Sequence, residues 1–283
     1  MPRTLRHFLD AIKFEHTVFA LPFAYVAMVL AADGWPGWRV LLWVTLAMTG
    51  ARTLAMSVNR LADRLIDASN PRTAERHLPT GLLAPRHMLL AAVLSGALLA
   101  LSAWMLNPLC FRLAPFAVLF LIGYSYTKRF TWASHWILGF TDGIAAAGGW
   151  IAVRGSFEPP AFVLWFALTV WIAGFDLIYA CQDVDFDRRA QLHSFPARFG
   201  VAPALHAARV CHLLTVAAFV LLGLTTGLGW LYWVGIVVVA GLFVYEHSLV
   251  SPVDLSQLDV AFFNVNGYIA VILFVAVLAG RFV

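Results

Sequence analysis

Nine apolar runs divide the chain, and each is about as long as the ~20 residues that a helix needs to cross a lipid bilayer. Only 12% of the 283 residues are charged, whereas 61% are hydrophobic. Because a backbone surrounded by lipid must satisfy its hydrogen bonds within its own segment, runs of this length are expected to be helices. The sequence therefore predicts an all-α, polytopic membrane protein that forms a single domain, 1–283, in the lipid bilayer. The nine predicted transmembrane helices cover residues 16–33, 38–59, 87–106, 110–127, 133–153, 160–182, 203–223, 227–247 and 260–280.

The stretch before the first apolar run has a different character. It reads MPRTLRHFLDAIKFEH and is basic and amphipathic. A segment of this kind is typical of a helix that lies in the membrane interface with its apolar face toward the lipid. We therefore expect an N-terminal interfacial helix at about residues 3–15.

Positively charged residues are distributed unequally between the two ends of the predicted helices. With nine spans, the N-terminus and the connections near 60–87, 128–132, 183–202 and 248–259 share one side. That side carries 13 of the 19 Lys and Arg residues, namely Arg3, Arg6, Lys13, Arg60, Arg64, Arg72, Arg76, Arg86, Lys128, Arg129, Arg188, Arg189 and Arg198. Because loops rich in Lys and Arg stay in the cytoplasm, this side is predicted to be cytoplasmic. The same bias accounts for the net charge of +4, which gives no indication of nucleic-acid binding.

Two acidic clusters lie at the cytoplasmic ends of the second and sixth predicted helices. Asn59, Asp63 and Asp67 follow one another at intervals of four residues, and Asp183 and Asp187 repeat that interval 120 residues later. On a helix this spacing keeps the first three side chains within an arc of about 80° and over about 12 Å. Solvated helix ends at the membrane surface would be one explanation. Two matched pairs beside hydrocarbon favour a second, in which Mg²⁺ is held by carboxylates and bridges a diphosphate.

Each acidic cluster continues deeper into the membrane as a polar stripe. Arg52 lies seven residues before Asn59, and Asp176 lies seven residues before Asp183, about two helical turns further in. The stripes predict a central cavity that opens on the cytoplasmic side. Arg52 and Asp176 are candidates for binding a substrate there, and an ion pair between the two is an equally good interpretation. The repeat suggests two duplicated halves, which are common in transporters, so a secondary transporter with an intramembrane acidic site is an alternative.

Basic and hydroxyl side chains follow the acidic clusters. Arg72 and Arg76 lie just beyond the first cluster, and Tyr124 and Lys128 are one turn apart at the end of the fourth predicted helix. Arginine can donate two parallel hydrogen bonds to phosphate oxygens, and lysine adds a compact charge. Taken singly, these residues are more simply explained as anchors of cytoplasmic loops. Beside two sets of acidic ligands, they predict a diphosphate-binding site.

These motifs resemble those of the UbiA superfamily of intramembrane prenyltransferases. The resemblance rests on Asn-x-x-x-Asp-x-x-x-Asp at 59–67, Tyr-x-x-x-Lys at 124–128 and Asp-x-x-x-Asp at 183–187. The run NPRTAERHLPTG at 70–81 is similar to a loop of the 4-hydroxybenzoate polyprenyltransferase branch. The stretches 50–56 and 183–196 resemble enzymes of the alternative menaquinone route, which prenylate a dihydroxynaphthoate. Arg60 departs from the pattern, because many members carry an aspartate there, and this leaves one potential metal ligand fewer.

The resemblance implies Mg²⁺-dependent transfer of a polyprenyl group from an allylic polyprenyl diphosphate to an aromatic carboxylate, in ubiquinone or menaquinone biosynthesis. It also implies a bacterial cytoplasmic (inner) membrane protein whose active site faces the cytoplasm. The metal ligands would be Asn59, Asp63, Asp67, Asp183 and Asp187. The diphosphate would be bound by Arg72, Arg76, Tyr124 and Lys128, of which Lys128 would be catalytic together with the four aspartates. The aromatic acceptor would lie near Arg52 and Asp176.

Three other functions fit parts of the sequence. UbiA-type enzymes with a different acceptor share the metal site, so only the loop after Asp67 argues against them. A CDP-alcohol phosphotransferase also has an intramembrane Asp-x-x-x-Asp motif, but its Asp-Gly-x-x-Ala-Arg signature is incomplete here, because the similar run at 142–146 is followed by alanine. A secondary transporter would place its ionisable residues near the membrane midplane, whereas these cluster at one end. The sequence favours the aromatic prenyltransferase.

Overall fold

The structure is a computed structural model that describes residues 3–13 and 15–282, with side chains described for 5–13 and 21–282. Within these ranges the fold contains no β-strand, apart from an isolated bridge between Ser251 and Asp254. The α-helices are α1 (Arg3–Ala11), α2 (Glu15–Ala32), α3 (Trp38–Ser69), α4 (Pro85–Leu106), α5 (Pro108–Thr127), α6 (Ser134–Arg154), α7 (Pro159–Ala180), α8 (Val184–Arg189), α9 (Phe195–Phe199), α10 (Val201–Thr226), α11 (Trp230–Ser248) and α12 (Asn266–Phe282). A 3-10 turn spans Cys181–Asp183, and a π-helical segment spans Val260–Val265.

Membrane-spanning helices dominate the described part of the chain. Eight helical stretches are long and apolar enough to cross a bilayer. The further apolar helix that corresponds to the first predicted span is described as apolar only over Leu21–Ala32, which is shorter. The prediction of an all-α polytopic membrane protein is therefore confirmed, while the count of nine spans stays a prediction.

Two helix ends decide how the acidic residues are presented. α3 continues to Ser69, well beyond the predicted end at 59, so Asn59, Asp63 and Asp67 lie on one uninterrupted helix as expected. α7 ends at Ala180, and Asp183 belongs to the 3-10 turn that follows. The helical stretch 159–189 that carries Asp183 and Asp187 is therefore interrupted by a 3-10 turn between α7 and α8. A 3-10 turn has 3.0 residues per turn instead of 3.6, so it changes the direction in which α8 presents its side chains.

The helices close into a ring. Each long helix packs against the next in the chain, and α12 packs against α2, which also contacts α6. Very close approach occurs where glycine faces a neighbour. At Gly139 in α6 an added Cβ atom would collide with the carbonyl oxygen of Thr169 in α7. Small residues are typical of such contacts, because membrane helices associate by close packing and hydrogen bonding instead of the hydrophobic effect.

Replacing Gly139 by alanine is expected to destabilise the bundle by about 1–3 kcal/mol, since the methyl group must displace the backbone of α7. Gly148, on the same helix, provides the matched control, because an added Cβ there has no atom within 4 Å. Thermal unfolding in detergent should give a lower midpoint for Gly139→Ala. For Gly148→Ala it should give an unchanged or slightly higher midpoint, because alanine favours the helix. Equal midpoints for the two variants would contradict this packing.

The N-terminal helix is shorter than predicted. α1 ends at Ala11 because Lys13 has a left-handed backbone conformation with φ 51°, and residue 14 lies outside the described residues. Ile12 is buried, and the Arg60 Nε donates a hydrogen bond to the Ala11 carbonyl oxygen at 2.9 Å. These contacts fasten α1 to α3. Its location in the membrane interface stays a prediction.

A buried hydrogen-bond network connects α7, α11 and α12. The Trp171 Nε1 donates to Asn266 Oδ1 at 2.6 Å, and Asn266 Nδ2 donates to Glu246 Oε1 at 2.9 Å. Asn266 also donates to the carbonyl oxygen of Phe262, within the π-helical segment. Phe262 stacks on Tyr179 with ring centroids 4.1 Å apart. The network thereby supports the aromatic surface beside the end of α7, where the acidic residues lie.

Candidate active site

Many polar residues of the chain lie at the end of the bundle where α3 and α7 finish. We call this end the aspartate end. Asp63 lies on the inner face of α3 and is only 3% exposed. Lys128, just after α5, contacts one of its carboxylate oxygens at 2.9 Å, and Arg129 contacts the other at 3.1 Å. The Asn59 side-chain amide, one turn earlier on α3, donates to Asp63 at 3.2 Å. Two cations and an amide therefore surround this buried carboxylate and balance its charge.

Asp67 lies one turn further along α3 and is 4% exposed. One carboxylate oxygen contacts Arg76 at 2.8 Å, whereas the other, Oδ2, is buried and has no hydrogen-bond partner in the described part of the chain. Thr73 donates to the Asp67 carbonyl oxygen at 3.0 Å and fixes the loop against the helix end. A buried carboxylate oxygen without a partner is costly, and such atoms are common where an ion or a ligand binds.

Asp183 is held by the loop after α3. Arg72 binds it with both ends of the guanidinium, Nε to Oδ1 at 2.9 Å and a terminal nitrogen to Oδ2 at 2.5 Å. The Asn70 side chain donates to the same carboxylate at 3.2 Å. Burial acts to lower the pKa of Arg72, but the hydrogen bonds and charge of Asp183 outweigh it and raise that pKa. The guanidinium therefore stays charged, and the loop brings the two acidic clusters next to each other.

The remaining aspartates of the second cluster differ from each other. Asp187 accepts a hydrogen bond from the Ser194 hydroxyl at 2.6 Å and has no Lys or Arg in direct contact among the described residues. Asp185 is exposed, and its carboxylate accepts no hydrogen bond within the described ranges. Asp187 is therefore half-buried and oriented by Ser194, whereas the Asp185 side chain is exposed and not held by a hydrogen bond in this part of the chain.

The deeper residues make contacts that the sequence did not indicate. Asp176 accepts a hydrogen bond from His135 at 2.6 Å, so the alternative of an Arg52–Asp176 ion pair is wrong. The Nε of Arg52 is buried without a hydrogen-bond partner in the described part of the chain. Tyr124 donates toward the Ala55 carbonyl oxygen of α3 at 3.4 Å and does not contact the loop cations. Arg52 therefore makes no ion pair in the described part of the chain, and its buried Nε is free to donate a hydrogen bond.

Sequence reasoning missed four residues that contact the aspartates: Arg129, Asn70, Ser194 and His135. Arg129 adjoins a chosen lysine, and Asn70 begins the run at 70–81, so both had a signal in the sequence. Ser194 lies within the run at 183–196, but no spacing rule places it on Asp187, because that contact depends on how the segment 190–194 folds back. Arg60, the position that departs from the family pattern, donates a hydrogen bond to the Ala11 carbonyl oxygen of α1 and does not contact the acidic residues.

The donor set fits Mg²⁺ in its chemistry. It consists of carboxylate and amide oxygens, the ligands that this hard cation prefers, and Asp67 Oδ2 is buried and unpaired. Asp63, Asp67 and Asp183 are each neutralised by Lys or Arg. No three of the aspartates bring their oxygens within 4.8 Å of one another in the described ranges. Lys and Arg side chains therefore balance the charge of three of the four aspartates.

Three comparisons place the chain among known proteins. The model of the UbiA prenyltransferase family matches residues 20–277. The 4-hydroxybenzoate octaprenyltransferase of Aliivibrio fischeri is 31% identical over 256 residues, covering 89% of this chain and 88% of that protein. The enzyme of the same name from Vibrio cholerae is 30% identical over 243 residues, covering 86% and 85%.

Solved structures of the same fold agree. The apo structure of a UbiA homolog from Aeropyrum pernix K1 has a TM-score of 0.85 and 31% identity, and the match covers 93% of this chain and 96% of that one. A UbiA homolog from Archaeoglobus fulgidus bound to GPP and Mg²⁺ has a TM-score of 0.68 and 19% identity, covering 98% and 100%. At that identity the second match supports the fold alone.

Proposed function

The chain belongs to the UbiA prenyltransferase family, and from that premise we propose that it transfers a polyprenyl group from an allylic polyprenyl diphosphate to the ring of an aromatic carboxylate. The observation that carries the proposal is the meeting of two acidic clusters, each with its own arginine, at one end of the bundle. A single acidic cluster would explain a cation site, whereas two facing clusters with four nearby cations fit a metal-bound diphosphate. The four cations are Arg72, Arg76, Lys128 and Arg129.

The donor site is proposed to form by an exchange of partners. Bound Mg²⁺ would be held by Asn59, Asp63, Asp67, Asp183 and Asp187, and it would neutralise charge that develops on the diphosphate. Each cation whose aspartate is neutralised in this way can turn its donors to the diphosphate oxygens. Preorganised donors around a leaving group stabilise its negative charge most effectively where water is excluded. Burial of Asp63 and Asp67, at 3% and 4% exposure, supports such a site.

The acceptor is proposed to bind through Arg52. Its buried Nε has no hydrogen-bond partner and can donate to an acceptor oxygen. The carboxylate of an aromatic acid can accept two parallel hydrogen bonds from a guanidinium. Arg52 lies seven residues, or about 10 Å along the helix, from Asn59. A ring with its carboxylate on Arg52 would therefore extend toward the donor. The relatives are named for 4-hydroxybenzoate, and a dihydroxynaphthoate is the other acceptor that we propose to test.

The protein is a multi-pass membrane protein, and we propose that it lies in a bacterial cytoplasmic membrane with the aspartate end facing the cytoplasm. The loops at that end carry most of the Lys and Arg residues, which supports this orientation. The isoprenoid chain of the donor would lie among the apolar helices, since it is insoluble in water.

Prenyl transfer by the purified protein tests the proposal. The protein in detergent would be given Mg²⁺ and geranyl diphosphate with 4-hydroxybenzoate or 1,4-dihydroxy-6-naphthoate, beside Asp63→Ala and Asp183→Ala. Prenylated product from one acceptor, absent from both variants, is the expected result. Product that does not depend on Mg²⁺ or on either aspartate would overturn the assignment of the donor site. Release of diphosphate without prenylated product would leave the donor site standing and remove the acceptors tested.

Replacing Arg52 by glutamine is expected to raise the KM for the acceptor by about 10–100-fold, since a hydrogen bond to a charged group contributes about 1.5–3 kcal/mol. The KM for the donor should change little, because Arg52 does not contact the acidic clusters among the described residues. Arg112→Gln, at an exposed position near the start of α5, is the matched control. Steady-state kinetics with each substrate varied in turn would measure the two KM values separately. Equal effects on both KM values would contradict a role of Arg52 in acceptor binding.

A further inference from the structure

His135 and Asp176 form an oriented pair between α6 and α7. The His135 Nδ1 lies 2.6 Å from Asp176 Oδ2, and the backbone N–H of Phe195 donates to His135 Nε2 at 3.2 Å. A nitrogen that accepts a hydrogen bond carries no proton in the neutral ring, so the proton is on Nδ1. His135 therefore donates to Asp176, and the peptide of Phe195 fixes both the tautomer and the ring orientation.

Asp176 is placed at the depth of the acceptor site. It lies seven residues before Asp183 on α7, just as Arg52 lies seven residues before Asn59 on α3, so both are about 10 Å deeper than the donor site. Its side chain is 24% exposed, whereas that of His135 is only 4% exposed. The second oxygen, Oδ1, has no hydrogen-bond partner in the described part of the chain. One oxygen is thus fixed, and the other is accessible.

A purely structural clamp between two helices is the simpler explanation of the pair. Two observations argue for more. Asp63, Asp67 and Asp183 are each paired with Lys or Arg, whereas the only hydrogen-bond partner of Asp176 among the described residues is His135. A purely structural link between the helices does not require an accessible oxygen, yet one carboxylate oxygen of Asp176 is accessible. One carboxylate oxygen of Asp176 is therefore oriented by His135, and the other is free to contact a substrate.

We propose that Asp176 accepts the proton that the aromatic ring loses during prenyl transfer, and that His135 is the residue that positions it. This inference rests on the proposed function. As the ring carbon forms its bond to the allylic carbon, the bond between that carbon and the diphosphate oxygen breaks, and its electron pair leaves with the diphosphate. The ring is then cationic. Asp176 Oδ1 takes the proton from the attacked carbon, the electron pair of that C–H bond restores aromaticity, and the protonated carboxyl later returns the proton to water.

The chain offers a matched pair of substitutions at His135. Asparagine can place its amide nitrogen where Nδ1 was and still donate to Asp176. Glutamine reaches the position of Nε2 and can accept from the Phe195 N–H, but it leaves Asp176 without its donor. Asp176→Asn removes the proton acceptor itself while keeping the shape of the side chain. A positioned proton acceptor contributes about 10²–10⁴-fold to a rate.

Prenyl transfer to an acceptor that carries deuterium at the attacked ring carbon tests the proposal. We expect Asp176→Asn to lose at least about 10²-fold in kcat, and His135→Gln to lose activity in the same direction, with a primary isotope effect larger than in the wild type. His135→Asn should stay close to wild type in both respects. Donor hydrolysis, measured as diphosphate release without acceptor, should continue in all variants. This last measurement shows that the donor site is intact and the protein folded.

The outcomes separate the two proposals. A wild type that prenylates an acceptor, beside an Asp176→Asn variant with an unchanged rate or isotope effect, would overturn the role of Asp176 and leave the proposed function standing. Equal losses in His135→Asn and His135→Gln without a larger isotope effect would reduce the pair to a clamp. A wild type that releases diphosphate but prenylates neither acceptor overturns the proposed acceptor and, with it, the role of Asp176, and leaves the donor site standing.

Discussion

Replacing Asp67 by asparagine is expected to lower the rate of prenyl transfer by about 10²–10³-fold or more. The substitution removes a carboxylate that we propose holds Mg²⁺, and Mg²⁺ would stabilise the negative charge that develops on the leaving diphosphate. The Asp67 carboxylate is almost fully buried, and its Oδ2 is unpaired while Arg76 holds the other oxygen. An amide in its place offers one oxygen instead of two and leaves Arg76 without an anion. Both changes weaken the binding of Mg²⁺ and of the diphosphate.

Two measurements are needed for this variant. The first is the rate of prenyl transfer, and the second is the rise in the midpoint of thermal unfolding with added Mg²⁺ and donor, which reports binding independently of catalysis. Asp185→Asn is the matched control, because Asp185 is exposed and its carboxylate accepts no hydrogen bond in the described ranges. We expect Asp185→Asn to behave as wild type in both measurements. A normal thermal shift in Asp67→Asn would show that Asp67 does not bind the metal.

Replacing Arg72 by glutamine is expected to produce two effects of opposite sign. Arg72 neutralises Asp183 through two hydrogen bonds, so in the absence of donor it competes with a metal for that carboxylate. Its removal should therefore tighten the binding of Mg²⁺ alone. With donor present, the variant lacks one cation for the leaving diphosphate, and its rate should fall by about 10²–10³-fold. Arg72→Lys should recover only part of that rate, because lysine cannot form the two parallel bonds.

Titration of the ligand-free protein with Mg²⁺, followed by thermal unfolding, measures the first effect, and single-turnover kinetics measures the second. Arg189→Gln serves as control, since Arg189 is an exposed arginine at the same end whose Nε contacts only the backbone of Asp185. Weaker Mg²⁺ binding in Arg72→Gln would contradict the exchange of partners that we propose. It would mean that Arg72 organises Asp183 for the metal instead of competing with it.

The fold class and the presence of an acidic site follow from local sequence properties. Apolar runs of bilayer length can only be satisfied as helices in lipid, so the helices are determined wherever such a run occurs. The four-residue interval of Asn59, Asp63 and Asp67 puts them on one face of any helix, and α3 is continuous through all three. Neither inference requires knowledge of which helices are neighbours.

Contacts between helices depend instead on packing register, which no single segment encodes. The hydrogen bond from His135 to Asp176 exists because α6 and α7 approach closely at glycine positions such as Gly139. Asp176 therefore pairs with His135 and makes no ion pair with Arg52. The 3-10 turn at Asp183 likewise altered a helix whose sequence has the periodicity of an unbroken one.

The sequence by itself determined that this is a membrane protein built of helices. It also determined which residue types could bind a metal-bound diphosphate. Length, hydropathy and helical period are local quantities, so no tertiary contact is needed to infer them. Only the tertiary structure decided which cation neutralises which aspartate, that Arg52 keeps an unpaired donor, and that His135 holds Asp176. Those pairings are set by distances of about 3 Å between side chains far apart in sequence, and such distances arise only when the helices pack.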